Sequence, residues 1–284
     1  MKVQVFAKLN LTLNVSARQG EFHPIDSVAT SVDVCDVVEV TARADSEVHV
    51  RGVEGVPQSH NTAYKAACAF VEAFSTRGVD VCVQKGIPFG GGLGGSSADA
   101  AAVLYCMCKL YGVDVGCDKV SEICANLGSD VSFMLRGGLG RLRGKGDDVE
   151  YFKLKRPVYF ALTTFDKEMN SREVYAAFDS VGTSYGKEKN AEFLTLLQNG
   201  DNEKALTYFV NGLQQAARAL SDYAEQYLAF AAANGFNAVM TGSGSAYYVA
   251  FVTETEAQSA VDTLNSHGFA TILCKTVPYG IEII

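Results

Sequence analysis

The order of strands and helices along the chain predicts an α+β fold. Three observations carry it. A long alternating apolar run opens the chain, a glycine-rich loop joins a strand to an apolar helix in mid-chain, and the second half mixes strands and helices irregularly. A parallel sheet would need a regular βαβα order, which is absent. The 284 residues, 48% of them hydrophobic, suffice for one large or two modest domains. Arg156–Pro157 precedes a fresh strand, so the expected division is 1–153 and 154–284.

The elements follow in order. From Val3 to Val15 the odd positions are Val, Val, Ala, Leu, Leu, Leu and Val, and the even ones are polar except Phe6. That is a half-buried strand, with Lys8, Asn10 and Thr12 sharing its other, solvated face. Residues 27–41 and SEVHVRGV read as strands. Asn61–Phe74 reads as an amphipathic helix with Gly78 beyond its end, and DVCVQKGIP as a strand entering the glycine loop. Ala98–Tyr111 is apolar on nearly all sides, hence a buried helix capped by Gly112. A short helix at Ser121–Leu127, a strand-like VSFML and two glycine turns, Gly137–Gly140 and Gly144–Gly146, follow. Beyond the strand VYFALTTF, helices are expected at 171–180, 190–198, 202–220, 222–234 and 254–266. NAVMTG, AYYVAFV and TILCKTVPY are the remaining strands, with one more near the end.

Composition excludes several classes. A net charge of −8 argues against nucleic-acid binding through bulk electrostatics. No apolar run reaches the roughly 18–20 residues of a membrane span, and the N-terminus lacks a signal peptide's apolar block. The eight cysteines form no C-x-x-C pair and sit mostly in apolar patterns, as expected of reduced core thiols in a cytoplasmic protein. Four histidines without ligand spacing predict no resident metal site.

The segment PFGGGLGGSSADAAA at 88–102 is the strongest local signal. A linker is disfavoured, because strand and helix flank it without a polar spacer. Gly90, Gly92 and Gly95 match G-x-G-x-x-G, but Pro88 and Phe89 intervene after the strand and two serines follow. No Lys follows Gly95 as in a Walker loop, and the protein-kinase signatures are missing. A phosphate cradle fits the chemistry. Glycines let backbone N–H groups approach an anion, and the following helix offers its positive end. Ser96 and Ser97 would then cap the helix, donate to phosphate oxygens or hold Mg²⁺; a plain turn with a serine N-cap is the bland alternative.

These residues resemble the second motif of the GHMP kinases. AKLNLTLNV at 7–15 resembles the first motif and MTGSGSAYYVAF at 240–251 the third, so the resemblance spans nearly the whole chain. Within the family the likeness is greatest to the branch acting on a cytidine diphosphate-linked methylerythritol. Ala7-Lys8-Leu9-Asn10-Leu11 fits that branch without a following G-E-H. Phe22-His23 stands where G-Y-H is usual, Gly128-Ser129-Asp130-Val131 in its G-[AS]-D-V segment, and Ser171 to Phe178 in its S-T-x-x-V-Y-x-x-F.

The resemblance implies a two-domain fold, with an N-terminal domain like ribosomal protein S5 domain 2 and a ferredoxin-like C-terminal domain. It implies transfer of the ATP γ-phosphoryl group, with Mg²⁺, to an alcohol of a small-molecule substrate. Asp130 would be the general base and Lys8 its cationic partner. Pro88, Gly90, Gly91, Gly92, Leu93, Gly94, Gly95, Ser96 and Ser97, with Asn61, would bind the nucleotide. Asn10, Phe22, His23, Ser171, Gly242, Ser243 and Gly244 would bind the acceptor. Without the resemblance, Asp130 is equally a turn aspartate and Asn61 an N-cap, while Lys85, Arg143 and Lys145 either offset phosphate charge or are plain surface cations. Another small-alcohol kinase and a silent nucleotide-binding paralogue are the alternatives, and the intact Lys8 and Asp130 speak against the second. A monomer or homodimer is expected, with neither nucleic acid nor membrane as partner.

Overall fold

A computed structural model gives the structure, which describes residues 1–167, 169–181 and 189–284. Strands β1 (Lys2–Val15) and β2 (Ile25–Ala42) form an antiparallel spine with two register shifts. β3 (Val48–Arg51), α1 (Thr62–Phe74) and β4 (Val79–Gln84) follow. Then come α2 (Gly95–Tyr111), α3 (Asp118–Leu127) and α4 (Val131–Arg136), and the hairpin of β5 (Leu139–Gly144) and β6 (Asp148–Phe152).

The later half holds β7 (Tyr159–Thr163), α5 (Ser171–Val181), α6 (Lys189–Asn199) and α7 (Asn202–Ala205). Next are β8 (Val210–Asn211), α8 (Gln214–Arg218), α9 (Asp222–Ala233) and β9 (Ala238–Met240). β10 (Tyr247–Phe251), α10 (Glu254–Ser266), β11 (Thr271–Val277) and β12 (Ile281–Ile283) close the chain.

Among the described residues, the strands join one branched sheet whose main path runs β12-β1-β2-β11-β7-β10-β9. Its pairings are antiparallel except β3–β4 and β1–β8. β11 pairs with β2 through Thr276 and Val277 and with β7 through Thr271–Lys275, so it carries the sheet from one half to the other. The predicted α+β class holds.

Several expectations are corrected. β1 is buried almost throughout, not half solvated. Its polar residues Lys8, Asn10, Thr12 and Asn14 are covered by loops and helices distant in sequence, and each has hydrogen-bond partners. VSFML is helical, because Val131, Phe133 and Met134 pack inward together and Gly137 ends the turn. The helix expected over 202–220 is broken by β8, where Val210 and Asn211 pair with Thr12 and Leu13. Neither Ser96 nor Ser97 caps α2: Gly94 does, at φ +75°, and both serines lie in the first turn. Helix α1 ends on Ser75 in the left-handed region, ahead of Gly78.

Leu93 explains the one non-glycine of the loop. Its side chain is buried in the main core, which anchors the loop by about 1.5–3 kcal/mol. Behind it, Ala100, Ala101 and Ala102 are small and fully buried, so α2 packs close beneath the loop.

Candidate active site

A cleft with a volume of about 530 Å³ is floored by the glycine loop, Pro88 to Ser97. Lys8 and Asn10 of β1, Ser129 and Asp130 before α4, Ser171 and Tyr175 of α5, and Gly242 and Ser243 form its other walls. Residues from five distant stretches therefore converge on one space.

At its centre Lys8 Nζ lies 3.5 Å from Asp130 Oδ2 and 2.5 Å from Asn10 Oδ1. Asp130 leaves its side chain free of any capping bond to α4, although it occupies the N-cap position. The side chain of Lys8 is 6% exposed and that of Asp130 30%. The carboxylate thus faces the cleft while the ammonium stands behind it. Asn10 is a bracket: its carboxamide oxygen also accepts from Gly242 N at 3.1 Å, and its Nδ2 donates to Ser27 Oγ at 2.8 Å. One side chain so links the lysine to the third glycine-rich segment.

The two glycine segments are interlocked. Ser245 N donates to Gly90 O at 3.1 Å and Ala246 N to Gly91 O at 3.3 Å, while Lys8 N donates to Leu93 O at 3.0 Å. Gly92 has φ +71°, and a Cβ there would stand 2.4 Å from Thr241 O. A Cβ on Gly94 would meet the Met134 methyl at 2.2 Å and Lys8 Cγ at 3.3 Å. Close backbone approach requires glycine at 92, whereas at 94 the neighbours are side chains and the φ of +75° is the firmer demand.

Beneath the loop lies a buried charged group. Lys85 Nζ bonds Asp36 Oδ2 and, at 2.9 Å, Asp99 Oδ2. Asp36 Oδ1 accepts from the N–H groups of Gly86 and Ile87 at 2.7 and 2.8 Å, which fixes the chain entering the loop. Burial pushes the Asp99 carboxyl up to about 7 against the pull of Lys85, and nearby Asp36 pushes it the same way. Its Oδ1 has no partner among the described residues. Lys85, weighed above as a surface cation, is part-buried, its side chain 14% exposed.

Asn61, Phe22 and His23 lie apart from the cleft's walls. Asn61 caps α1, its Oδ1 accepting from Ala63 N and Tyr64 N at 2.9 and 3.3 Å. Helix α1 still touches the loop, since Thr62 Oγ1 donates to Ser96 O at 2.6 Å. His23 Nε2 is 2.7 Å from Asp179 Oδ1, with its ring 5.1 Å from that of Tyr175. Lys145, a cleft residue, sits 5.0 Å from the centroid of Phe22. His23 and Tyr175 so pair against α5, while the Phe22 ring lies under Lys145. Ser171 Oγ is 2.7 Å from Ser243 Oγ, and Gly244 turns the third segment at φ +86°. Arg143 is taken up by Asp148 and Glu150.

Sequence reasoning missed Asn211 and gave Tyr175 no role. Asn211 Nδ2 donates to Met240 O at 2.7 Å and Gly242 O at 2.8 Å, holding the third segment against β1. Only the Asn-Gly pair after Val210 hinted at it. Tyr175 is marked by its place in the V-Y step of the motif; burial, with a smaller push from Asp130, raises its phenol to about 12 and keeps it neutral.

A polar bridge supports the loop bearing Phe22 and His23. Arg141 binds Asp26 in a fork at 2.8 and 2.7 Å, and Asn190 Nδ2 adds 2.9 Å to Oδ1. Burial opposes ionisation of Asp26, but the bonds from Arg141 and Asn190 outweigh it and hold the carboxyl below its ordinary 3.8. A lowered native pKa contributes stability above the unfolded value, and that contribution is lost as the pH falls through the native one. Arg141→Met is therefore expected to cost about 2–3 kcal/mol at neutral pH. Thermal melts should show the gap to wild type level from pH 7 to 5 and narrowing below 3.8.

Comparison with known proteins agrees with this geometry. Residues 61–138 match the family described as GHMP kinases N terminal domain, and residues 190–270 match GHMP kinases C terminal. The chain belongs to the GHMP kinases. It is 31% identical to the 4-diphosphocytidyl-2-C-methyl-D-erythritol kinase of Caldanaerobacter subterraneus over 100% of this chain and 99% of that one. The protein of the same name from Desulfitobacterium hafniense is 32% identical over 97% and 95%. A crystal structure of 4-(cytidine 5'-diphospho)-2C-methyl-D-erythritol kinase superposes with a TM-score of 0.79 at 27% identity, covering 97% of this chain and 98% of that one. A homoserine kinase from Cytophaga hutchinsonii, at 16% identity and TM-score 0.77, shares the fold.

Proposed function

We propose that the chain transfers the γ-phosphoryl group of ATP to a hydroxyl of 4-diphosphocytidyl-2-C-methyl-D-erythritol, a step of non-mevalonate isoprenoid synthesis. The observation that carries the chemistry is the Lys8–Asp130 pair, 3.5 Å apart, facing the glycine loop across one cleft. The full-length likeness to relatives of that name supports the acceptor.

The loop's N–H groups and the start of α2 receive the phosphates. Asp130 takes the acceptor's hydroxyl proton as its oxygen bonds to the γ-phosphorus, and ADP departs. Lys8 stabilises the charge gathering on the transferred group. Asn10, Asn211, Ser171 and the 242–244 segment shape the acceptor side. His23, beside Tyr175, and Phe22, beside Lys145, suit the cytosine. Residues 1–153 would then serve the nucleotide side and 154–284 the acceptor side.

Mg²⁺ needs few protein ligands when phosphates and water supply the rest. The oxygens of Ser96 and Ser97 at the cleft fit it and would hold it. Bound there, it would neutralise phosphate charge. Eight free cysteines support a reducing, cytoplasmic setting.

Steady-state assay with ATP, Mg²⁺ and separate acceptors tests this proposal. Turnover is expected with the cytidyl-erythritol and not with mevalonate or homoserine. Turnover of mevalonate alone would refute the acceptor assignment.

A further inference from the structure

His23 has an acidic partner that the phosphoryl transfer does not use. Its Nε2 lies 2.7 Å from Asp179 Oδ1, across 156 residues of chain. The His23 side chain is 8% exposed and that of Asp179 40%. A pair with one member so exposed adds little to stability. What it does fix is the ring. Tyr175 lies 5.1 Å from the imidazole, tilted by 33°, and Phe178 meets it edge-on at 5.9 Å. Helix α5 therefore presents Tyr175, Phe178 and Asp179 to one imidazole, and Tyr175 also lines the cleft.

The acid decides which ring nitrogen carries the hydrogen. An ionised carboxylate only accepts, so Nε2 must donate to it. In the neutral ring that leaves Nδ1 as a lone-pair acceptor. Among the described residues, Nε2 is the only ring nitrogen of His23 with a hydrogen-bond partner. Pyrimidines differ at the group such an acceptor would read. Cytosine offers a 4-amino donor where uracil offers a 4-oxo acceptor. A lone pair on Nδ1 pairs with the first and repels the second. Without the acid, both tautomers are open to the ring, and an Nδ1–H would serve uracil instead.

We propose, resting on His23 as a contact of the acceptor's base, that Asp179 is a positioning residue that makes the site select cytosine over uracil by holding His23 as its Nε2–H tautomer. Two acceptors identical except for cytosine or uracil test it, with wild type, Asp179→Ala and Asp179→Glu at matched melting temperatures. Wild type should favour the cytidine compound in kcat/KM, and Asp179→Ala should narrow that preference about 10-fold. The change should fall on KM for the cytidine acceptor and leave kcat and KM for ATP unchanged, since the base stands away from the transferred group. Asp179→Glu should restore part of the preference. The ¹⁵N shifts of His23, one of four histidines and assigned through His23→Gln, should show the Nε2–H tautomer in wild type and a mixture in Asp179→Ala. An unchanged preference in Asp179→Ala would overturn the proposal, as would hydrogen on Nδ1 in wild type. An equal loss with both acceptors would also overturn it, showing that Asp179 only supports the fold. Turnover of neither acceptor by wild type would instead refute the acceptor assignment, and this proposal with it.

Discussion

Asp130→Asn is expected to lower kcat by about 10²- to 10⁴-fold while ATP affinity stays within about twofold. The carboxamide fills the same space but cannot take the acceptor's proton. It also leaves Lys8 Nζ, 6% exposed, without the anion 3.5 Å away. Asn10 Oδ1 still accepts from Lys8 at 2.5 Å, so the lysine should keep its place and the fold its stability. Steady-state kinetics alongside calorimetric titration of ATP separates these effects. A variant with near wild-type kcat would show that Asp130 is not the base. A variant that also lost ATP binding would show that it acts through the loop.

Gly92→Ala should abolish ATP binding at assay concentrations and lower stability by several kcal/mol. The added Cβ would stand 2.4 Å from Thr241 O and 3.1 Å from Gly244 O. Both are backbone atoms of the third segment, which cannot swing aside as a side chain would. The residue also needs φ +71°, where alanine is strained. Relief would require parting the two glycine segments, which also hydrogen-bond through Gly90 O and Gly91 O. Gly112→Ala is the control. It shares a positive φ, with nothing within 4 Å of its Cβ, and should cost only about 1 kcal/mol in thermal melts.

The parts of this molecule legible in the sequence are those whose signal is local. The glycine loop, the buried helix behind it and the alternation of β1 could be read from neighbouring residues. The burial of Lys8 and Asn10 could not. Period-2 alternation says which residues share a face, but not what will cover it. The cover is the glycine loop some eighty residues on and the Thr241–Gly242 turn beyond two hundred, as Lys8 N to Leu93 O and Gly242 N to Asn10 Oδ1 record. VSFML misled for a different reason. Five largely apolar residues fit a strand or a helix turn equally, and only packing against α2 decides. Asn211 was hidden because a two-residue strand has no period to detect. Lys85 looked like a surface cation because its partners, Asp36 and Asp99, are 49 and 14 residues away.

The central claim is phosphoryl transfer to one alcohol, and a single mixture tests it. Purified protein would be given ATP, Mg²⁺ and equimolar 4-diphosphocytidyl-2-C-methyl-D-erythritol, mevalonate and homoserine, and the products followed by mass spectrometry. The account predicts that only the cytidyl-erythritol gains the mass of one phosphoryl group, with one ADP formed for each product. Phosphorylation of either competitor in its place, or ADP release with no phosphorylated acceptor, would contradict it.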